Sequence, residues 1–177
     1  MGTKARDKGR TGGSTPAILA LQAAGISFST HAFESHGLAD GYGLQAARQL
    51  GLDPQWVFKT LLTDVDGSPT VAIVPVAGTL DLKLLAAACS GRRAQMLEPA
   101  IAQRLTGYVV GGISPIGLKR PLPTVLDDSV HALTTVYVSG GRRGLDIGLA
   151  PRDLIQITSA RCAPLARRRQ GNDPDER

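Results

Sequence analysis

The chain has 177 residues, 42% of them hydrophobic, with a mean hydropathy of −0.01, enough for one domain around one well-buried core. The formal charge is +5, but residues 1–14 and 167–177 supply +4 of it and residues 15–166 carry only +1, which excludes a body that holds nucleic acid by bulk charge. No run approaches 18 apolar residues, which excludes a helical membrane span.

Residues 1–14 (MGTKARDKGRTGGS) are charged and Gly-rich, with nothing to bury and no apolar signal region, so a disordered tail is expected. Thr15 can cap a helix whose first position is Pro16, with ILALQAA at helical spacing and Gly25 as the stop. ISFSTHAF (26–33) alternates like a strand, and LQAARQLGLDPQ (44–55) reads as a short helix closed by Gly51 or the Asp-Pro pair. Residues 56–78 read as two strands joined at Asp66–Gly67. Helices are expected over 80–91 and 98–107. Brief strands follow at YVV (108–110), 122–127, 134–140 and 145–150, then a closing helix at 151–158 and a polar tail over 167–177.

Hairpins mixed with helices of variable length indicate an α+β fold in one domain, 15–166, rather than a regular βαβ repeat. Cys89 and Cys162 lie 73 positions apart with no CxxC, so neither a zinc nor a redox motif is present, and a reducing, cytoplasmic setting is the simplest expectation. No HExxH or GxSxG occurs. Gly112 and Gly117 have the interval of a phosphate loop, but Leu118 and Lys119 follow where lysine and a hydroxyl are required.

Three features break the ordinary pattern. Lys59 interrupts VFKTLL, an otherwise buried strand; it either snorkels from a strand end or faces an anionic ligand. In VYVSGGRRGLDIGL (136–149), the glycines either make a plain turn with Arg142 and Arg143 in water, or present the N–H groups of Ser139–Gly141 near an inward Asp146. GYVVGGISPIGLKRPLP (107–123) is either a structural turn or a rigid backbone pocket, in which Gly111 and Gly112 admit a ligand and Pro115 fixes the path.

Taken in order, TPAI, FKTLL, PVAGTLDLKLLA, QRLTGYVVGGISPIG, LPTVLDD and VYVSGGRRGLDI closely resemble the YbaK family of freestanding Cys-tRNA(Pro) deacylases, kin to the editing domain of bacterial prolyl-tRNA synthetases. The resemblance spans about residues 15–167. It implies a curved, mainly antiparallel or mixed, barrel-like sheet flanked by helices. It also implies removal of cysteine, or of another small residue such as Ala or Ser, from a mischarged tRNA 3′ end, with prolyl-tRNA synthetase as partner and no metal or cofactor. A non-catalytic module that kept the fold is the alternative from another class. Motif by motif, Lys59 takes the place of a lysine that engages the 3′-terminal nucleotide, and Asp146 that of a substrate-positioning aspartate. Thr60, Gly111, Gly112, Ile113, Ser114, Ser139 and Gly140 fall in the substrate-binding motifs. Phe33 stands in His31-Ala32-Phe33, where relatives often carry a Tyr, so the aromatic wall stays and the hydroxyl is lost.

Overall fold

Local capping starts the chain's first element as the sequence requires. In the computed structural model, which describes residues 13–36 and 41–168, Thr15 Oγ1 accepts from Ile18 N at 3.2 Å and Pro16 opens α1 (Pro16–Ala23). The expected disordered and polar tails lie mostly outside the described residues. Strand β1 (Phe28–Ala32) follows, then α2 (Tyr42–Leu50), which starts two residues before the expected 44. Gly51, at φ 65°, closes α2; the Asp-Pro pair is not needed. Strands β2 (Phe58–Val65) and β3 (Ser68–Pro75) form the expected hairpin, with Asp66 at φ 50° and Gly67 at φ 89° in its turn. Further on come β4 (Gly78–Leu80), α3 (Leu82–Ala88), β5 (Ala94–Met96), α4 (Pro99–Thr106) and β6 (Thr124–Asp127). The chain continues with β7 (Val136–Arg142), β8 (Leu145–Leu149), α5 (Pro151–Thr158), β9 (Arg161–Ala163) and β10 (Ala166–Arg168).

The α+β architecture stands, but a barrel-like sheet does not. The described strands form three sheets, ordered β1-β8-β7, β10-β4 and β5-β2-β3-β6-β9, and none closes on itself. The five-stranded sheet is mixed, because β3–β6 and β6–β9 are parallel while its other pairs are antiparallel. A single bridge, Val57 to Tyr137, joins it to the three-stranded sheet. Leu21, Ile73, Leu126, Ile147 and Leu154 fill the main core. No described helix is long and apolar enough to cross a membrane.

Two other expectations change. Residues 108–110 are not a strand: Tyr108 is buried, its hydroxyl donates to Ile116 O at 2.7 Å, and the backbone turns there. The folded body also runs through Arg168, past the expected boundary at 166, because β10 pairs with β4 in the register Ala166–Leu80 to Arg168–Gly78. Buried Asp127 holds that end down, its Oδ1 accepting from Leu165 N at 2.8 Å and Ala166 N at 2.9 Å. Asp127→Ala strips both amides of their acceptor, and the expected loss is about 2–4 kcal/mol, read as a lower Tm. An unchanged Tm would show that the latch holds nothing.

Candidate active site

The first half of β2 is the floor of the site, and its outer edge is open. Leu97 N donates to Leu62 O at 3.0 Å and Tyr137 N donates to Trp56 O at 2.9 Å. Strand β5 covers only Thr63–Val65 and β7 meets the edge at the Val57–Tyr137 bridge, so between them, at Lys59–Leu61, the edge has no strand partner among the described residues. Antiparallel alternation turns the N–H and C=O of Thr60 to that open stretch.

A cavity of about 340 Å³ sits against it. Its walls come from the start of α2 (Tyr42, Gly43, Leu44), the entry to α4 (Leu97, Pro99), the turn at Val110–Gly111 and Ile113, and the paired strands β7 and β8. Phe33 closes one side. The lining is mostly apolar, with a few polar groups set into it, as expected of a small-molecule site.

Lys59 lines the cavity half-buried, and its Nζ donates to Gly78 O at 3.0 Å. That carbonyl belongs to β4, which β10 holds in place, so the far end of the chain helps position the ammonium. Thr60 Oγ1 is buried in the wall with no hydrogen-bond partner among the described residues. Asp146, on β8, is register partner of Ser139 on β7, and both line the cavity. The Asp146 side chain has no hydrogen bond or ion pair among the described residues, and its residue is only 6% exposed. Burial pushes its carboxyl up to about 7. Ionising it there is costly unless a cation stands beside it.

Phe33, Lys59, Thr60, Gly111, Ile113, Ser139 and Asp146 therefore meet at one cavity, from five separate stretches of sequence. Gly112, Ser114 and Gly140 do not line it. Gly112 N is committed to Val109 O at 2.9 Å. Ser114 is fully buried, and its Oγ accepts from Ile116 N at 3.2 Å. Gly140 O accepts from Thr15 Oγ1. Their place is in building the turns behind the wall. The glycine pair also works otherwise than expected: a Cβ on Gly111 would lie 2.4 Å from the Tyr42 ring, and one on Gly112 would lie 2.7 Å from the backbone carbon of Arg142. Their missing side chains admit neighbouring chain first.

The sequence reading missed Tyr42, Leu97 and Pro99. Pro99 was visible only as a helix start, and Tyr42, between Gly41 and Gly43, belonged to no recognised alternation.

Residues 42–157, which carry the floor and nearly every wall of this cavity, match the family model of the aminoacyl-tRNA editing domain. The chain belongs to that family. It is the family expected from FKTLL, GGISP and RGLDI. Over 120 residues this editing domain is 38% identical to a protein of Enterococcus faecalis (strain ATCC 700802 / V583) named "Putative Cys-tRNA(Pro)/Cys-tRNA(Cys) deacylase EbsC", covering 67% of this chain and 73% of that one. A solved structure named "putative trans-editing enzyme for prolyl tRNA synthetase" superposes with a TM-score of 0.73 at 22% identity, covering 86% of this chain and 95% of its own. Another, of the protein APE2540, gives 0.77 at 22% identity, covering 86% and 99%. At those identities the two structures attest the fold.

Proposed function

We propose that this editing domain removes cysteine from mischarged Cys-tRNA(Pro) in the cavity between β2 and β8, with no nucleophile of its own. The observation that carries the reading is the lining itself. Among its described residues there is no cysteine or histidine, and none of the three hydroxyls present, on Tyr42, Thr60 and Ser139, is hydrogen-bonded to a side chain that could take its proton. A buried acid, a lysine and a glycine turn remain, a set suited to holding a substrate that reacts with itself.

In this reading Lys59 engages the phosphate or ribose of the terminal nucleotide. Ionised Asp146 holds the α-ammonium of the aminoacyl group. The open edge at Thr60 and the amides of Gly111 and Ile113, which have no acceptor among the described residues, face the ester. The substrate thiol loses its proton and attacks its own carbonyl carbon, forming a C–S bond and a tetrahedral oxyanion. Collapse breaks the bond to the ribose oxygen, which takes up a proton, and a cysteine thiolactone leaves. Held in one conformer, such an intramolecular attack has a large effective molarity, so positioning and charge stabilisation suffice.

The test is a panel of Cys-, Ser- and Ala-tRNA(Pro). Cysteine is expected to leave at least about 100-fold faster than alanine, which lacks the thiol; equal rates would overturn self-attack. The partnerless Thr60 hydroxyl favours a second reading, a hydroxyl-bearing aminoacyl group, and faster release of serine than of cysteine would select it. The editing unit on this account is the folded body that begins at Thr15. Because residues 15–166 carry only +1, we propose that selectivity for tRNA(Pro) comes from prolyl-tRNA synthetase. Tight, selective binding of tRNA(Pro) by the isolated protein would contradict that part.

A further inference from the structure

Arg143 lies outside the cavity, exposed at the turn between β7 and β8, where a cation would ordinarily be assigned to solvent or to a phosphate. Its geometry is more specific. The guanidinium carbon sits 5.4 Å from the centroid of the Tyr42 ring, within cation–π range. At the same time its Nε donates to Val110 O at 2.9 Å. The Tyr42 ring in turn fills the space that a side chain on Gly111 would need, with the nearest ring atom 2.4 Å from where that Cβ would stand. Gly111 itself is at φ 88°. One residue pair thus ties together the start of α2, the glycine turn and the β7–β8 turn.

We propose that Arg143 and Tyr42 form a clamp that fixes the Val110–Gly111 wall of the cavity, and that Arg143 is a positioning residue acting through that wall. The inference rests on the proposed function for its effect on turnover, while the clamp itself can be read without substrate. Lysine cannot replace arginine here, because its rotating ammonium lacks the planar guanidinium that lies on a ring while its Nε–H reaches a carbonyl.

The experiment compares wild type, Arg143→Ala, Arg143→Lys, Tyr42→Ala, Tyr42→Phe and the Tyr42→Ala/Arg143→Ala double variant. Cys-tRNA(Pro) deacylation is followed at two salt concentrations, and amide hydrogen exchange over 109–113 is recorded without tRNA. The clamp predicts that Arg143→Ala lowers kcat about tenfold with KM within about twofold. It further predicts that Arg143→Lys does not rescue, that Tyr42→Phe recovers most of what Tyr42→Ala loses, and that the double variant is no worse than either single one. Exchange at Val110 and Gly112, the amides of that turn that are hydrogen-bonded, accelerates in both alanine variants. A phosphate contact would instead raise KM, weaken its salt dependence and be rescued by lysine; that pattern overturns the proposal, as does unchanged exchange. Accelerated exchange in a wild-type background that turns over no Cys-tRNA(Pro) would uphold the clamp and remove the functional reading alone.

Discussion

Asp146→Asn is expected to make the protein more stable and almost inactive in one step. Between an ordinary carboxyl near 3.8 and the folded value of about 7, the folded chain keeps the proton and the unfolded chain has lost it. Stability of the wild type therefore falls as pH rises through that window and levels off above it. At about 1.4 kcal/mol per pH unit, the window is worth on the order of 4 kcal/mol. The neutral amide is free of that cost, so Tm at pH 8 should rise by several degrees, and the pH slope between 4 and 7 should flatten. Activity moves the other way. Without a carboxylate for the α-ammonium, kcat/KM is expected to fall by about 100-fold or more. In the wild type, kcat/KM should climb with pH and reach a plateau above about 7, since it reports the free enzyme. Superimposable Tm–pH curves for the two proteins would remove the buried-acid account.

Gly112→Ala should fail for a different reason. The new Cβ would stand 2.7 Å from Arg142 C and 2.8 Å from both Arg142 Cα and Arg143 N, all backbone atoms that no rotamer change can move. The 109–113 turn and the β7–β8 turn must separate, at about 1–3 kcal/mol. Gly111 and Ile113 move with them, and a shift of about 1 Å at a reacting group can cost about 100-fold in rate. A lower Tm together with a loss of kcat larger than that of KM is expected. Wild-type kinetics at reduced Tm would mean that the turn does not shape the site.

These two residues also mark what sequence could and could not reveal. Elements set by local chemistry were legible: Thr15 with Pro16, Pro99 and Pro151 at helix starts, Gly51 at a helix end, Asp66–Gly67 in a hairpin. Lys59 and Asp146 stood out because each is polar where its neighbours are apolar, and both line the cavity. Strands β4, β5, β9 and β10 are three residues each, held by partners distant in sequence, so no period could announce them. YVV is β-forming in composition, yet the bond from Tyr108 to Ile116 O folds it into a turn. Ser114 and Gly140 sit beside site residues in sequence but their atoms serve Ile116 and Thr15. A glycine announces that something comes close; whether that is a ligand or, as with Tyr42 at Gly111, another part of the chain is decided only by tertiary structure.

The central claim is that the cavity against β2 is where an aminoacyl end is released from tRNA. Its most direct test is deacylation of Cys-tRNA(Pro) by wild type, Lys59→Ala and, as a change outside the cavity, Cys89→Ser. Wild type and Cys89→Ser should release cysteine at the same rate, and Lys59→Ala should be slower by about 100-fold or more. Lys59→Ala at the wild-type rate, or wild type no faster than buffer, would contradict the account.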